Sequence, residues 1–319
     1  MTTLLISHSD DPHVGLVTRQ LDLIGRKYHL LQTDTIGGFT NPSVRISHQN
    51  QHIRLDGVDL DTITTVWNRR ITINPGWSTN PDMDPLLVQH VHDQRLALFD
   101  GLASLLPPSA IWMNSIYGAR LARSKIRQLA VAKDVGLAIP DTLVSNDAHE
   151  IRQFAGEHNA TGLISKILSP TPARVPNVQP QYSIFTTFID PRLIEDAELE
   201  ASPAIYQTKV DKIREARTIV VGERTLTCAI DSQNSVQTKL DWRRYDFKNV
   251  RHYEIELPPP VQQMLVELTK RLGLRYSAID LAQTHDGSWC FFELNPGGQW
   301  AWLEEIAGIP IGQLIAESL

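Results

Sequence analysis

Cysteine is scarce. Only Cys228 and Cys290 occur among 319 residues, each inside a run of strand character, which leaves no disulfide framework and no cysteine-rich metal cluster. A reducing cytoplasm is the expected location. Long apolar runs are missing too: the stretch from Leu96 to Met113 is broken by Asp100 and Pro107-Pro108, so no span of about 20 residues could cross a bilayer. There is no basic excess, since 30 Lys and Arg stand against 36 Asp and Glu for a formal net charge of −6, and that balance carries no nucleic-acid footprint. The opening residues, from Met1 to His8, lack a basic region and run into Asp10-Asp11, which predicts no secretory signal. Repeats and low-complexity tracts are absent. With 42% hydrophobic residues the chain can bury substantial cores, and its length suggests two or three domains. The expectation is a soluble protein without nucleic-acid or membrane partners; a homodimer is compatible with the sequence, which does not fix the oligomeric state.

Periodicity predicts an α/β opening. Thr3 to Ser7 reads as a strand, Asp11-Pro12 starts a helix, and Tyr28 to Gln32 reads as the next strand. Val44 to Ser47 and His52 to Leu55 suggest a hairpin, and Thr62 to Asn68 a strand ending in Arg69-Arg70, a pair that either decorates the surface, which is the expectation, or meets an anionic substrate group. A helix is predicted from Pro85 to Leu105, a short strand from Ile111 to Asn114, and one helix from Asn114-Ser115 to Val135 that carries Lys125. Gly162 to Leu168, G-L-I-S-K-I-L, is a strand in which Lys166 stands out: a cation in an apolar strand is costly unless an anion such as phosphate meets it, or unless it lies on an exposed face. Ser169 to Gln181 is rich in Pro and predicts a loop or flap. An acidic helical stretch from Pro191 to Glu200 follows, either simply solvated or a docking site for a basic peptide. Strands are predicted over Ile205 to Val210, Arg217 to Gly222 and Thr225 to Asp231, and a helix over Pro258 to Gly273.

The most informative stretch is Tyr276 to Gln299. Asp286-Gly287 between two alternating runs predicts a type I′ hairpin, in which His285 pairs with Ser288, Ala282 with Phe291, Asp280 with Glu293 and Ala278 with Asn295. Asp280, Glu293 and Asn295 then share one face. Directly opposed carboxylates repel, so the pairing needs a cation, and Mg²⁺ takes oxygen ligands of this kind beside nucleotide phosphates. The alternative is a solvated hairpin whose acids are tolerated. Tyr276, Ala278, Ala282, Trp289 and Phe291, placed on the same face, argue against it.

The order of these parts, an α/β opening, a Lys-bearing helix, a strand Lys, a loop, a polar hinge and D-x12-E-x-N on a hairpin, resembles the ATP-grasp superfamily from Ser115 onward. The resemblance implies a mixed α/β (α+β) ATP-grasp fold, with an N-terminal pre-ATP-grasp domain at 1–114, a central subdomain at 115–204 and a C-terminal subdomain at 205–319. It assigns Lys125 and Lys166 to the phosphates of ATP and Asp280, Glu293 and Asn295 to Mg²⁺. Tyr206 to Val210 looks like the adenine hinge, with Gln207, Lys209 and Val210 on the nucleotide, and Glu215 stands at the ribose position. Gln207 departs from the acid common there, and the flap is rich in Pro rather than Gly.

Further segments look like the microviridin-type (graspetide) peptide macrocyclases: V-W-N-R-R at Val66 to Arg70, S-K-I-R-Q-L at Ser124 to Leu129, S-I-F-T-T at Ser183 to Thr187, D-W-R-R-Y-D at Asp241 to Asp246, and E-L-N-P-G-G-Q-W-A-W-L-E at Glu293 to Glu304. That likeness implies a ligase that phosphorylates Asp or Glu side chains of a ribosomally made precursor and couples them to Ser or Thr hydroxyls or Lys amines. Its partner would be the precursor peptide, leader plus core, with the leader meeting the acidic stretch at Glu195 and Asp196. Arg217, Arg243 and Arg244 are the candidates for stabilising an acyl phosphate, and no general base is identifiable. The alternatives are an ATP-grasp carboxylate–amine ligase acting on a small molecule or adding amino acids to a protein, and a nucleotide-binding regulator without catalysis.

Overall fold

The computed structural model describes residues 2–35, 42–49, 51–55, 57–71, 84–168 and 185–319. The flap expected at Ser169 to Gln181, and Ser183 with it, lies outside the described residues.

The first part is the expected α/β unit. β1 (Thr2–Ser7) leads through α1 (Pro12–Leu23) into β2 (Lys27–Gln32), followed by β3 (Pro42–Ile46), β4 (Gln51–Leu55), β5 (Val58–Asp59), β6 (Ile63–Asn68), α2 (Pro85–Ser104) and β7 (Ile111–Met113). Asp11 caps α1, accepting from His13 N at 3.1 Å, with Pro12 at the first helical position where its missing N–H costs nothing. The main sheet runs β2-β1-β6-β7, all parallel, and β3-β4-β5 form a small antiparallel sheet. Alternate residues of β1 serve opposite faces: Leu4 and Ile6 pack with Phe99 and Leu102 of α2, while Leu5 packs with Val17 and Leu21 of α1.

The middle part begins with a departure. The single helix expected to Val135 is two, α3 (Ile116–Ala122) and α4 (Lys125–Asp134), each with its own serine cap: Ser115 Oγ accepts from Gly118 N at 3.0 Å and Ser124 Oγ from Arg127 N at 3.4 Å. Lys125 thereby becomes the first residue of a helix rather than one of its interior charges. β8 (Thr142–Ser145), α5 (Ala148–Glu157), β9 (Leu163–Lys166), β10 (Thr187–Ile189), α6 (Asp196–Glu200) and β11 (Ala204–Thr208) follow, and the strands form an antiparallel sheet in the order β10-β9-β11-β8. Residues 205–208, placed by the sequence with the C-terminal part, pair here with β8 and β9, so the chain leaves this sheet after Thr208.

The last part comprises β12 (Lys212–Val221), β13 (Arg224–Ile230), β14 (His252–Ile255), α7 (Pro259–Arg271), β15 (Tyr276–Thr284), β16 (Trp289–Asn295), α8 (Ala301–Ala307) and α9 (Ile311–Ser318). Its antiparallel sheet runs β14-β13-β12-β15-β16. Ala216, Val220, Ile279, Leu281, Phe291 and Leu294 bury one face against α4 and α7; each of the larger side chains, Val, Ile, Leu or Phe, contributes about 1.5–3 kcal/mol when fully withdrawn from water. The edge strand β16 is covered rather than left open. Phe291 N donates to Ala138 O at 2.8 Å, and Gln128 of α4 brackets Leu294, donating to its carbonyl at 2.7 Å and accepting from its N–H at 3.0 Å. Among the described residues no helix is long and apolar enough to cross a membrane.

Candidate active site

The hairpin β15–β16 arrives at the expected pairing by an unexpected route. Thr284 N donates to Ser288 O, and Gly287 N to Thr284 O, both at 3.0 Å, so the loop holds three residues and only Gly287 (φ 85°) has positive φ. That is a type I turn closed by a glycine bulge, and the type I′ turn with Asp286 also at positive φ is not formed. Near the turn the register is consequently one residue off: Ala282 faces Cys290, and Leu281 faces Phe291. A bulge at Phe292 then restores it, and Asp280 faces Glu293 and Ala278 faces Asn295 as expected. The bulge also re-sorts the aromatic residues. Trp289 and Phe291, expected beside the carboxylates, pack on the helix side of the sheet, while Phe292 lines the cleft.

That cleft lies between the central sheet (Ile164, Lys166, Thr208) and the C-terminal sheet (Lys212, Glu215, Asp280, Glu293), with Lys209 and Val210 at the crossover and the loop from Lys239 to Arg243 as a third wall. Arg217 Nη1 donates to both oxygens of Asp280 at 2.9 and 3.1 Å, and its guanidinium lies 5.5 Å from the Trp242 ring. Across the ladder, Glu293 stands 3.6 Å from Lys125 Nζ and 3.7 Å from Arg243 Nη1, and accepts from Asn295 Nδ2 at 3.2 Å. Lys125 Nζ also donates to Ile167 O at 3.1 Å, which ties α4 to the end of β9. Lys166 and Lys212 point their ammonium groups over the Phe292 ring at 5.0 and 5.3 Å.

The electrostatics follow from burial and from this crowd of charges. Burial drives the Asp280 carboxyl above its ordinary range, with Arg217 opposing and Glu293 adding to the rise. Burial works the same way on Glu293, yet Arg243, Lys125 and Lys166 together hold it below its ordinary range. Lys166 is pushed down to about 8 by burial, against the pull of Glu293 and with help from Lys125, Arg243 and Lys212.

Most of these groups are candidates named from the sequence, and others are not. Lys212, 8% exposed, pairs with Glu215 at 2.8 Å. Asp241 is held down to about 2, its burial outweighed by Arg243, which it grips through two hydrogen bonds of 2.8 and 2.6 Å. Asp241 also accepts from Thr186 N at 3.2 Å, joining the third wall to the central sheet. Its signal lies in D-W-R-R-Y-D, where the acid stands two residues before the arginine it holds. Arg244 does not line the cleft and instead covers the Phe185 ring at 5.3 Å. Gln207 does not line it either; its Nε2 donates to Thr142 Oγ1 at 2.9 Å within the central sheet. Asp196 is paired with Arg152 of α5, and Glu195 is an exposed residue at the start of α6. Arg69 is the clearest reversal: far from decorating the surface, it is 4% exposed and donates to Gly297 O.

The residues suit a nucleotide and a hard cation. Glu215 lines the cleft as a buried acceptor: Lys212 donates to its Oε1 at 2.8 Å, the Ser232 hydroxyl faces the same carboxylate, and Oε2 is the oxygen a ribose hydroxyl would meet. Asp280, Glu293 and Asn295 offer an all-oxygen donor set, two of it charged; among the described residues no cluster of three or more His, Cys, Asp or Glu side chains forms a competing metal site.

No family model and no curated protein sequence matches the chain. Solved structures do. The macrocyclase MdnC from Microcystis aeruginosa MRC, bound with the precursor peptide MdnA, is 28% identical, with 99% of this chain and 98% of that chain covered and a TM-score of 0.83. MdnB, a macrocyclase from the same organism, is 26% identical over 99% and 98% of the two chains, with a TM-score of 0.79. A RiPP-associated ATP-grasp ligase from Chryseobacterium gregarium, in complex with ADP and a leader and core peptide, gives a TM-score of 0.87 at 24% identity, covering 99% and 94%. The fold is thus shared with two peptide-bound or free macrocyclases and with an ATP-grasp ligase, and the ATP-grasp fold class expected from the sequence is the one found.

Proposed function

We propose that this chain, which has the ATP-grasp fold of the RiPP peptide macrocyclases, is an ATP-dependent ligase that activates Asp or Glu side chains of a ribosomally made precursor peptide and closes them onto Ser or Thr hydroxyls or a Lys amine. One observation carries the reading: directly opposed carboxylates at Asp280 and Glu293, hemmed by Lys125, Lys166, Arg217 and Arg243, at the back of a cleft between two antiparallel sheets.

The chemistry divides the work between these side chains. A carboxylate is unreactive toward a hydroxyl. Transfer of the γ-phosphoryl of ATP to it gives an acyl phosphate and ADP; attack by the hydroxyl or amine then expels phosphate and releases one proton, for a net loss of one water per ring. Bound Mg²⁺ supplies charge neutralisation on the phosphates, and Asp280, Glu293 and Asn295 would hold it. Lys125 and Lys166 steady phosphate oxygens, and little covalent chemistry is asked of the protein beyond positioning and charge. The three arginine candidates are no longer equal. Arg217 is committed to Asp280, Arg244 stands outside the cleft, and Arg243 lines it with its side chain 38% exposed and braced by Asp241, which favours Arg243 for the acyl phosphate. No histidine lines the cleft among the described residues, so a hydroxyl's proton has no imidazole to go to there.

The direct test is the purified protein with MgATP and candidate precursor peptides. Loss of one water per ring with matching ADP release is expected; addition of an amino acid, or no turnover with any peptide bearing clustered Thr, Ser, Asp and Glu, would overturn the reading. We further assign the leader to the surface around Glu195 and Asp196. Charge reversal of the two is expected to raise KM for the full precursor while leaving nucleotide affinity unchanged, whereas a structural role through the Arg152 pair would lower thermal stability without that split.

A further inference from the structure

Immediately after Asn295 three consecutive backbone carbonyls are each taken by a side chain. Asn114 Nδ2 donates to Pro296 O at 2.7 Å, Arg69 Nη1 to Gly297 O, and the Tyr276 hydroxyl to Gly298 O at 2.9 Å. Two of these grips come from outside the hairpin, from the residues that directly follow β6 and β7 of the N-terminal sheet.

Asn114 is 2% exposed and uses its whole hydrogen-bonding capacity on this one place. Its Nδ2 also donates to Tyr276 O at 2.7 Å, and its Oδ1 accepts from Arg275 N at 2.9 Å and Tyr276 N at 3.0 Å. It does so from φ 60°, a left-handed conformation that Asn tolerates better than most residues. A single side chain thus ties the first residue of β15 to the residue following β16. Arg69 is itself braced, with Nε 3.4 Å from Asp11 Oδ2; the same carboxylate accepts from Nδ1 of His13, whose ring accepts from Trp300 N through Nε2 at 2.9 Å. The turn leaves no slack: a Cβ on Gly298 would collide with the Ala278 methyl and lie 2.7 Å from Arg217 Nη2. A one-residue slip would carry every side chain of a strand to the other face, and this clamp fixes the hairpin at its open end, opposite the turn.

We propose that Asn114 and Arg69 are positioning residues for the divalent-cation site: by fixing the Pro296 and Gly297 carbonyls they set where Glu293 and Asn295 present their oxygens opposite Asp280. The inference rests on the reading of Asp280, Glu293 and Asn295 as metal ligands.

Asn114→Asp keeps the size and the acceptors but removes both donors, turning a carboxylate oxygen against two carbonyls. With the full chain and ADP, Mn²⁺ binding followed by electron paramagnetic resonance is expected to weaken about 10-fold, as for other residues that orient metal ligands. ADP affinity without a divalent ion is expected to stay as in the parent. Arg69→Ala should act in the same direction, and Arg69→Lys, which keeps the charge and one donor, should recover part of the loss; this pair carries the test should Asn114→Asp not fold. Equal weakening of Mn²⁺ and ADP binding, or neither, overturns the positioning role. Asn295→Ala is the reference: if it leaves Mn²⁺ affinity unchanged, the ligand reading fails and the positioning role falls with it, and if it weakens Mn²⁺ while Asn114→Asp and Arg69→Ala do not, the positioning role alone is lost.

Discussion

Glu293→Gln is expected to reduce peptide-dependent ADP release at saturating ATP by about 10³-fold, the upper end of what a single preorganised electrostatic group contributes to a transition state. The substitution is nearly isosteric, so packing is preserved and what changes is charge. Glu293 faces Lys125, Arg243 and Lys166 together, and it stands opposite Asp280 on the neighbouring strand. With an amide there the cleft keeps its cations but loses half of the anionic pair that a divalent metal would bridge. Folding stability should change much less than activity. Removing the charge takes the facing carboxylate from Lys125 and Lys166 and leaves Arg243 with Asp241 alone, but it also relieves the repulsion that helps hold Asp280 above its ordinary range, and the two effects oppose each other. Thermal melting and steady-state turnover measured on the same preparation separate the outcomes. A variant that melts early yet turns over normally below its transition would make Glu293 a structural counter-ion.

The hairpin shows how far such a site can be read from sequence. Pairing Asp280 with Glu293 from a two-residue turn at Asp286-Gly287 reached the right partners through two deviations that cancel: the loop gained a residue at the turn, and Phe292 gave one back as a bulge. Local turn chemistry does not distinguish those routes, because an Asp-Gly pair serves both. The edge contacts that accommodate the bulged strand come from Ala138 and Gln128, far away in the chain. Lys166 was legible because a cation breaks an apolar strand, which is a local signal. Arg69 and Asn114 were not, since an Arg after a strand or an Asn before a helix has an ordinary local explanation, and their partners lie more than a hundred residues downstream. The division of 115–135 into two helices had a visible cue in Ser124, overridden by the continuous helical pattern around it. Fold class and the residues around the cations were therefore readable, while the residues that hold those groups in register were written only in long-range contacts.

Lys166→Met is expected to lower nucleotide affinity by about 100-fold while leaving folding stability at neutral pH the same or higher, because a buried charge-assisted contact to phosphate is worth several kcal/mol when its partner is present and costs desolvation when it is not. Burial holds the Lys166 ammonium at about 8, below its ordinary 10.5, even with Glu293 pulling the other way. Between those two pH values the folded chain therefore binds fewer protons at this site than the unfolded chain does, so stability should rise as pH climbs from about 8 toward 10.5 and the rise should vanish in the Met variant. Nucleotide binding should run in the opposite sense. Above pH 8 the free enzyme loses the proton that the phosphate requires, and Kd for ADP should increase with a limiting slope of about tenfold per pH unit. Lys166→Arg, whose guanidinium stays protonated throughout that range, should flatten the alkaline limb even if its absolute affinity is lower. Calorimetric titration with ADP from pH 7 to pH 9, paired with melting curves over the same buffers, measures both trends on one set of samples. A Met variant that is less stable at neutral pH and still binds ADP like the parent would recast Lys166 as the structural counter-ion of Glu293 and remove it from the phosphate site.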